Sequence, residues 1–207
     1  MQHLIHLGKD KKLGKVIALQ EPYILSKRKN IYLYLCASIM SQQLSTKVAD
    51  IIYKRFLALY GKKTPSAAAI AATEFDQLRA IGLSNAKVRY VHNVCHFFIE
   101  QKVTDAMLHK MEDEAVIEFL TQIKGVGRWT AEMILMFGLG REDVFAVDDL
   151  GIQQSMTRLY KLNPENKKAL REDMLRISGK WKPYRTYACR YLWGWKDGEV
   201  KNAKPEK

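Results

Sequence analysis

The sequence predicts an all-α protein of short helices in two lobes, and three observations predict it. Apolar residues recur at helical spacing along most of the 207-residue chain. Alternating, strand-like runs are scarce. The stretch Ile123-Lys124-Gly125-Val126-Gly127-Arg128-Trp129-Thr130-Ala131 sets a Gly-x-Gly pair directly before a helical run, the pattern of a tight hairpin feeding a helix N-terminus.

The elements follow in order. Residues 31–40 are apolar-rich, with Leu35 and Ile39 at helical spacing. Residues 45–60 carry Val48, Ile51, Ile52, Phe56 and Leu59, close to an i, i+3, i+4 stripe, and Gly61 is placed to end that helix. Residues 84–101 align Val88, Val91, Val94, Cys95 and Phe98, with Ser84 as N-cap. The pattern repeats over 112–121 with Val116, Phe119 and Leu120, and a helix over 129–139 follows the hairpin. Pro164 is placed at the first turn of another helix, and Pro183 opens a last one through Tyr191. Residues 1–195 form the core, with the hairpin at about 121–131; residues 196–207 are charged, poor in apolar residues and read as a flexible tail. Leu78-Arg79-Ala80-Ile81-Gly82-Leu83-Ser84 echoes Phe119-Leu120-Thr121-Gln122-Ile123-Lys124-Gly125. Either two turns of one design both face a backbone, or two helix-turn-helix joins coincide.

An apolar fraction of 47% suffices for a core, and a net charge of +12 points to a polyanionic partner, with a merely solvated basic surface as the alternative. Cys36, Cys95 and Cys189 form neither a metal-ligand pattern nor a disulfide framework, which predicts a reducing compartment. There is no signal-peptide apolar region and no apolar run long enough to cross a bilayer. The expectation is a soluble intracellular protein without membrane contact, cytoplasmic and nucleoid-associated in a bacterium or nuclear in a eukaryote. His3 and His6 fall near a flexible start. His92 and His96 stand i, i+4 but lack a supporting carboxylate motif, so they read as a solvated or packed pair.

A Gly-x-Gly hairpin presents backbone N–H groups and the positive end of a helix dipole, which suits a phosphate. Lys124, Gly125, Gly127, Arg128 and Thr130 are the candidate contacts. Behind them stand Asp148 and Asp149, candidates for chemistry on the bound nucleic acid.

Four ordered matches carry a resemblance. They are Ile39-Met40-Ser41-Gln42-Gln43-Leu44-Ser45, the hairpin, Val147-Asp148-Asp149, and Trp181-Lys182-Pro183-Tyr184-Arg185-Thr186-Tyr187-Ala188. Together they resemble the alkylation-repair branch of the helix-hairpin-helix DNA glycosylases, the DNA-3-methyladenine glycosylase II family. The resemblance implies two α-helical lobes with a base pocket between them, and no room for the extra N-terminal α/β domain of the bacterial archetype. It also implies a partner in double-stranded DNA with damaged bases, engaged by a monomer.

Asp149 resembles the family's essential aspartate. Breaking an N-glycosidic bond builds positive charge on the sugar, and a carboxylate stabilises that charge and orients or deprotonates water. An alkylated purine is already cationic and leaves without much acid assistance, so one carboxylate is enough. The alternative for Asp149 is a cap on the helix beginning near Leu150, although Asp148 is the preferred cap or structural partner. Trp129 stands where glycosylase-lyases such as endonuclease III carry the lysine that forms a Schiff base. An indole cannot do this, so the enzyme is expected to be monofunctional. Lys124 precedes the hairpin glycines and should face phosphate.

Trp129 and Trp193 resemble base-stacking walls, with cation–π attraction for a charged base; ordinary core packing is the alternative. Met133 stands where the archetype has tyrosine, which bears on base preference. Gln42, Gln43 and Leu44 resemble the loop that enters the duplex, with Gln43 as wedge and Leu44 as alternate; a polar helix start capped by Ser45 is the alternative. The resemblance further implies a monovalent cation, Na or K, on the backbone carbonyls of Thr121, Ile123 and Gly125. No cofactor is expected in catalysis, and the four-cysteine run for an iron–sulfur cluster is missing. The expected substrates are 3-methyladenine and 7-methylguanine. The rivals are a glycosylase for hypoxanthine or an oxidised purine, a noncatalytic DNA-binding module, and, more weakly, a basic helical scaffold.

Overall fold

The computed structural model describes residues 1–202, with side chains through Gly198. In chain order the helices are α1 (Gln2–Leu7), α2 (Lys11–Ile17), α3 (Ile31–Ser41), α4 (Thr46–Ala58), α5 (Ala67–Ala71), α6 (Phe75–Ala80), α7 (Asn85–Glu100), α8 (Asp105–Lys110), α9 (Asp113–Leu120), α10 (Arg128–Met133), α11 (Leu150–Tyr160), α12 (Lys167–Ser178) and α13 (Arg185–Asn202). A π turn, Ile134–Gly138, continues α10, and a 3₁₀ turn, Gly179–Trp181, follows α12. The described residues contain no strand. The chain divides into two compact units, a middle unit of Lys27–Leu139 and a terminal unit of Met1–Ser26 with Gly140–Lys207.

In the middle unit α7 is the spine. Its Val88, Val91, Val94, Cys95 and Phe98 are buried, and it packs on α3 and α5. Cys36 of α3 and Cys95 of α7 meet there as free thiols with Sγ atoms 3.9 Å apart, a proximity that their sequence separation does not announce. The hydrogen bond between these thiols, followed by burial, pushes the Cys36 thiol pKa well up. Ser45, Ser66, Ser84 and Thr104 each cap the helix that follows, accepting the backbone N–H three residues on. α3 lacks such a cap because Asn30 is left-handed. Asp105 of α8 substitutes, accepting the Asn30 and Ile31 amides at 2.7 and 3.0 Å.

In the terminal unit α11 packs on α13, α12 and α2. Here three expectations change. The chain start is helical, and His3 is buried, stacked on Tyr187 with ring centroids 4.0 Å apart. Burial lowers its pKa. Helices this short carry too few turns to show a periodic stripe. Pro164 does not open α12; Asn166 caps it by accepting the Ala169 amide at 3.1 Å, so the helix starts after the cap. Finally, α13 runs past Tyr191 to Asn202, so the expected tail is helical up to there. Residues 203–207 lie outside the described residues.

Candidate active site and nucleic-acid interface

The hairpin joins α9 to α10. Ile123 and Val126 are 3% and 5% exposed and anchor it in the middle unit, and the turn closes by Val126 N–H donating to the Ile123 carbonyl at 2.9 Å. Gly125 has φ +107°, and a Cβ there would lie 2.3 Å from Cγ of Tyr90, so only glycine fits. Asn93 of α7 braces the same turn, its amide donating to the Lys124 carbonyl at 3.0 Å. Gly127 has ordinary backbone angles, and a Cβ there would meet nothing within 4 Å. The backbone there is open, and Lys124 on the same turn is exposed.

Two expected phosphate contacts have side chains engaged within the protein. Thr130 is 3% exposed and its Oγ1 lies 3.5 Å from Nε2 of Gln42, so its hydroxyl faces the interior. Only its backbone is left for an external partner. Arg128 is exposed, but its guanidinium forms a two-pronged pair with Glu114 at 2.7 and 2.9 Å and reaches Glu132 at 3.2 Å. The hydrogen bond to Glu114 raises its pKa further, and its charge is already compensated.

The Gln42-Gln43-Leu44 turn lies between α3 and α4. Gln43 is exposed, with φ +58°, the left-handed region. Ser45 caps α4, as the polar-start reading expects, and this leaves the three residues before it to form the turn. Nζ of Lys87 donates to the carbonyls of Met40 and Gln42 at 3.0 and 2.7 Å, and burial lowers its pKa.

In the terminal unit the capping role falls to Asp149, the alternative weighed for it, and not to Asp148. Asp149 is the cap of α11, its Oδ1 accepting the Ile152 amide at 2.8 Å. The same Oδ1 accepts the indole N–H of Trp193 at 2.8 Å. Asp148 is exposed and paired with Arg171. Capping and a chemical role do not conflict at Asp149, since the cap fixes the carboxylate. Trp193 reaches it because position 151 is glycine: a Cβ there would lie 3.0 Å from the indole Cδ1. In the middle unit Trp129 is 42% exposed, unlike a core tryptophan, and Met133, one turn on, is 8% exposed.

The Trp181–Ala188 motif holds the segment that leads to Asp149, a role the sequence reading did not find. Thr186 Oγ1 donates to the Arg141 carbonyl at 2.7 Å and accepts the Val144 amide at 3.0 Å. Arg185 grips both carboxylate oxygens of Asp143, at 2.6 and 2.9 Å, and Tyr187 donates to Glu142 at 2.8 Å. Burial, then the bond to Glu142, pushes the Tyr187 phenol well up. Gln153 of α11 completes the frame, donating to the Val147 carbonyl at 3.1 Å. The signal was a polar Arg-Thr pair set between two tyrosines, Tyr184 and Tyr187.

Among the described residues no group of three or more His, Cys, Asp or Glu side chains is placed to hold a metal, and His92 is engaged with the Thr73 carbonyl at 3.0 Å. No described helix is long and apolar enough to cross a membrane.

Known proteins share this chain's sequence and fold. The chain is 34% identical over 194 residues to the DNA-3-methyladenine glycosylase 1 of Schizosaccharomyces pombe, covering 92% of this chain and 84% of that protein. It is 33% identical over 160 residues to the DNA-3-methyladenine glycosylase of Saccharomyces cerevisiae, covering 73% of this chain but 54% of that protein, so it spans about half of that relative. The solved structure of the Schizosaccharomyces pombe 3-methyladenine DNA glycosylase Mag1 in complex with abasic DNA superposes with a TM-score of 0.83 at 31% identity, over 99% of this chain and 100% of that one. With its family pattern matched over residues 36–180, the chain belongs to the HhH-GPD superfamily of base excision DNA repair proteins.

Proposed function

We propose that this protein is a monofunctional DNA glycosylase that hydrolyses the N-glycosidic bond of alkylated purines, 3-methyladenine and 7-methylguanine, in double-stranded DNA. The observation that carries the reading is the Asp149 carboxylate, held at 2.8 Å by both the Trp193 indole N–H and the Ile152 amide. Two donors orient the carboxylate so that it stabilises the cationic sugar and directs water without first reorganising. Position 129 holds tryptophan, so no amine stands there to attack the sugar. The exposed Trp129 ring offers a face for a cationic base, and Trp193 adds its indole beside the carboxylate. Relatives named 3-methyladenine glycosylases support the substrate class.

The enzyme acts as a monomer in the compartment that holds the genome. Catalysis needs no cofactor. The hairpin fits a monovalent cation in its donor chemistry. No turn or cap hydrogen bond among the described residues uses the Thr121 or Gly125 carbonyl, and the Ile123 carbonyl accepts one bond and keeps a second lone pair. A cation held there would add positive charge beside a phosphate.

The test is single-turnover excision on duplexes that each carry one defined lesion, followed by alkali. Asp149→Asn should abolish excision of 3-methyladenine while duplex binding persists, because asparagine still caps α11 but carries no charge. Asp148→Asn is the control and should stay active. Borohydride should trap no enzyme–DNA adduct. Normal turnover by Asp149→Asn, or an adduct mapping to Lys124, overturns the mechanism. Activity confined to hypoxanthine or an oxidised purine overturns the substrate class.

A further inference from the structure

We propose that Lys87 is a positioning residue for the Gln42-Gln43-Leu44 turn, and that through this turn it sets how well the enzyme opens a correctly paired duplex. The inference rests on the reading of that turn as the element that fills the gap behind a flipped nucleotide.

The last carbonyls of a helix have no donors of their own and must find them elsewhere. At the end of α3, Gln42 N–H bonds to the Ile39 carbonyl at 3.3 Å and Leu44 N–H to the Ser41 carbonyl at 3.1 Å. The Met40 and Gln42 carbonyls are taken by one ammonium, that of Lys87. A cation at this end also complements the dipole of α3. Gln43 lies between these anchors at φ +58°, a conformation that a residue with a Cβ keeps only when its surroundings impose it. Lys87 can impose it because its own base is fixed. Its backbone N–H donates to Ser84 Oγ at 3.3 Å in the first turn of α7, and α7 is locked against α3.

The turn echoed in the sequence explains why a lysine stands there. Gly82 before α7 and Gly125 before α10 share φ +107°. Each is followed at the same offset by the helix cap, Ser84 or Gly127, and then at the same offset by Lys87 or Thr130. Both of these residues touch Gln42, Lys87 at the carbonyl and Thr130 at the side-chain amide. Two turns of one design therefore hold Gln42 from its backbone and from its side chain. The structural match pairs Gly82 with Gly125, two residues off the register in which the two sequence stretches echo each other, and Lys87 is its contribution to the site.

The test compares single-turnover excision of 7-methylguanine opposite cytosine with the same lesion opposite a mismatch. The variants are Lys87→Met, Lys87→Arg, Gln43→Ala and the double variant Lys87→Met/Gln43→Ala. Opening a paired base costs a few kcal/mol, and each 1.4 kcal/mol is tenfold in rate. Lys87→Met should therefore slow the matched substrate about tenfold and the mismatched one by less than about threefold. Lys87→Arg, which keeps donors and charge, should recover part of the loss. The double variant should be no slower than the slower single variant, since both act through one turn. Thermal unfolding of each variant separates this from general loosening, which would slow both substrates alike. Equal losses on both substrates, or an additive double variant, overturn the role of Lys87 while leaving the turn's own role to Gln43→Ala. No matched-selective loss in Gln43→Ala overturns the reading of the turn and this inference with it.

Discussion

Gly125 has φ +107° with the Tyr90 ring against the face where a Cβ would stand, whereas a Cβ on Gly127 would meet open space. The same substitution should thus act on stability at one position and on binding at the other. Gly125→Ala should cost about 2–4 kcal/mol, from a strained left-handed backbone and a displaced aromatic ring. Gly127→Ala should cost under about 1 kcal/mol, the difference between Gly and Ala as an N-cap, yet weaken duplex binding by standing where a phosphate approaches. Thermal unfolding and a binding titration on both variants check this. Unchanged affinity in Gly127→Ala would leave the hairpin a purely structural turn. The glycines were legible in sequence because few other residues suit such turns. Which neighbours point outward was not, because Thr130 and Arg128 are as polar as any contact residue. Burial removes the first and the Glu114 carboxylate occupies the second. These are long-range facts that spacing does not encode.

At the scale of elements, caps and the stripe of α7 were readable, the stripe of α4 held only at Ile52 and Phe56 while Val48, Ile51 and Leu59 are exposed, and the shortest helices were not readable. Ser45 and Ser84 cap α4 and α7 as their hydroxyls predict, while α1 and α2 pass unnoticed. What holds α2 is Asp10. Its Oδ1 accepts the Lys12 and Leu13 amides at 3.0 and 3.1 Å, and its Oδ2 accepts the Tyr160 hydroxyl at 2.7 Å and the Trp181 indole at 3.1 Å. Burial works to raise the Asp10 pKa, but these bonds, the Tyr160 hydroxyl foremost, leave it below its ordinary value. A carboxyl depressed in the folded state stabilises above its unfolded pKa, and the contribution is lost as pH falls from there through the folded value. The native state should therefore lose stability below about pH 4, and Asp10→Ala should flatten that part of the acid limb. At neutral pH Asp10→Ala should cost about 1–3 kcal/mol, since it removes a cap and leaves the buried Trp181 N–H without its acceptor. Urea unfolding of both proteins between about pH 3 and 7 is the measurement. An identical acid limb would show that other groups set it.

The whole molecule combines a surplus of positive charge with candidate site residues in each of its two units, and the two were unequally legible. The order of four motifs along the chain was enough to single out Asp149 for the proposed catalytic role, because glycosyl chemistry needs few residues. The frame around it was hidden, since Arg185, Thr186 and Tyr187 act on residues 141–144, far earlier in the chain. Net charge was readable at once, but not which charges are available. A net charge of +12 predicts duplex binding driven by release of counterions, with log K falling in proportion to log salt and a slope near −0.9 for each phosphate neutralised. Lys124 is exposed on the hairpin, and among the described residues no carboxylate forms an ion pair with it. Arg128 is compensated by Glu114 and Glu132. Undamaged duplex should thus bind with a steep salt slope, and Lys124→Ala should make it shallower by about 0.9. Arg128→Ala should leave the slope almost unchanged, because its charge is already spent on two carboxylates, although thermal stability should fall slightly. Titrations of a labelled duplex between about 50 and 200 mM salt read both effects. A near-zero slope in the unaltered protein would count against DNA as the partner. A slope lowered by Arg128→Ala and not by Lys124→Ala would mean that Arg128 leaves Glu114 for a phosphate on binding.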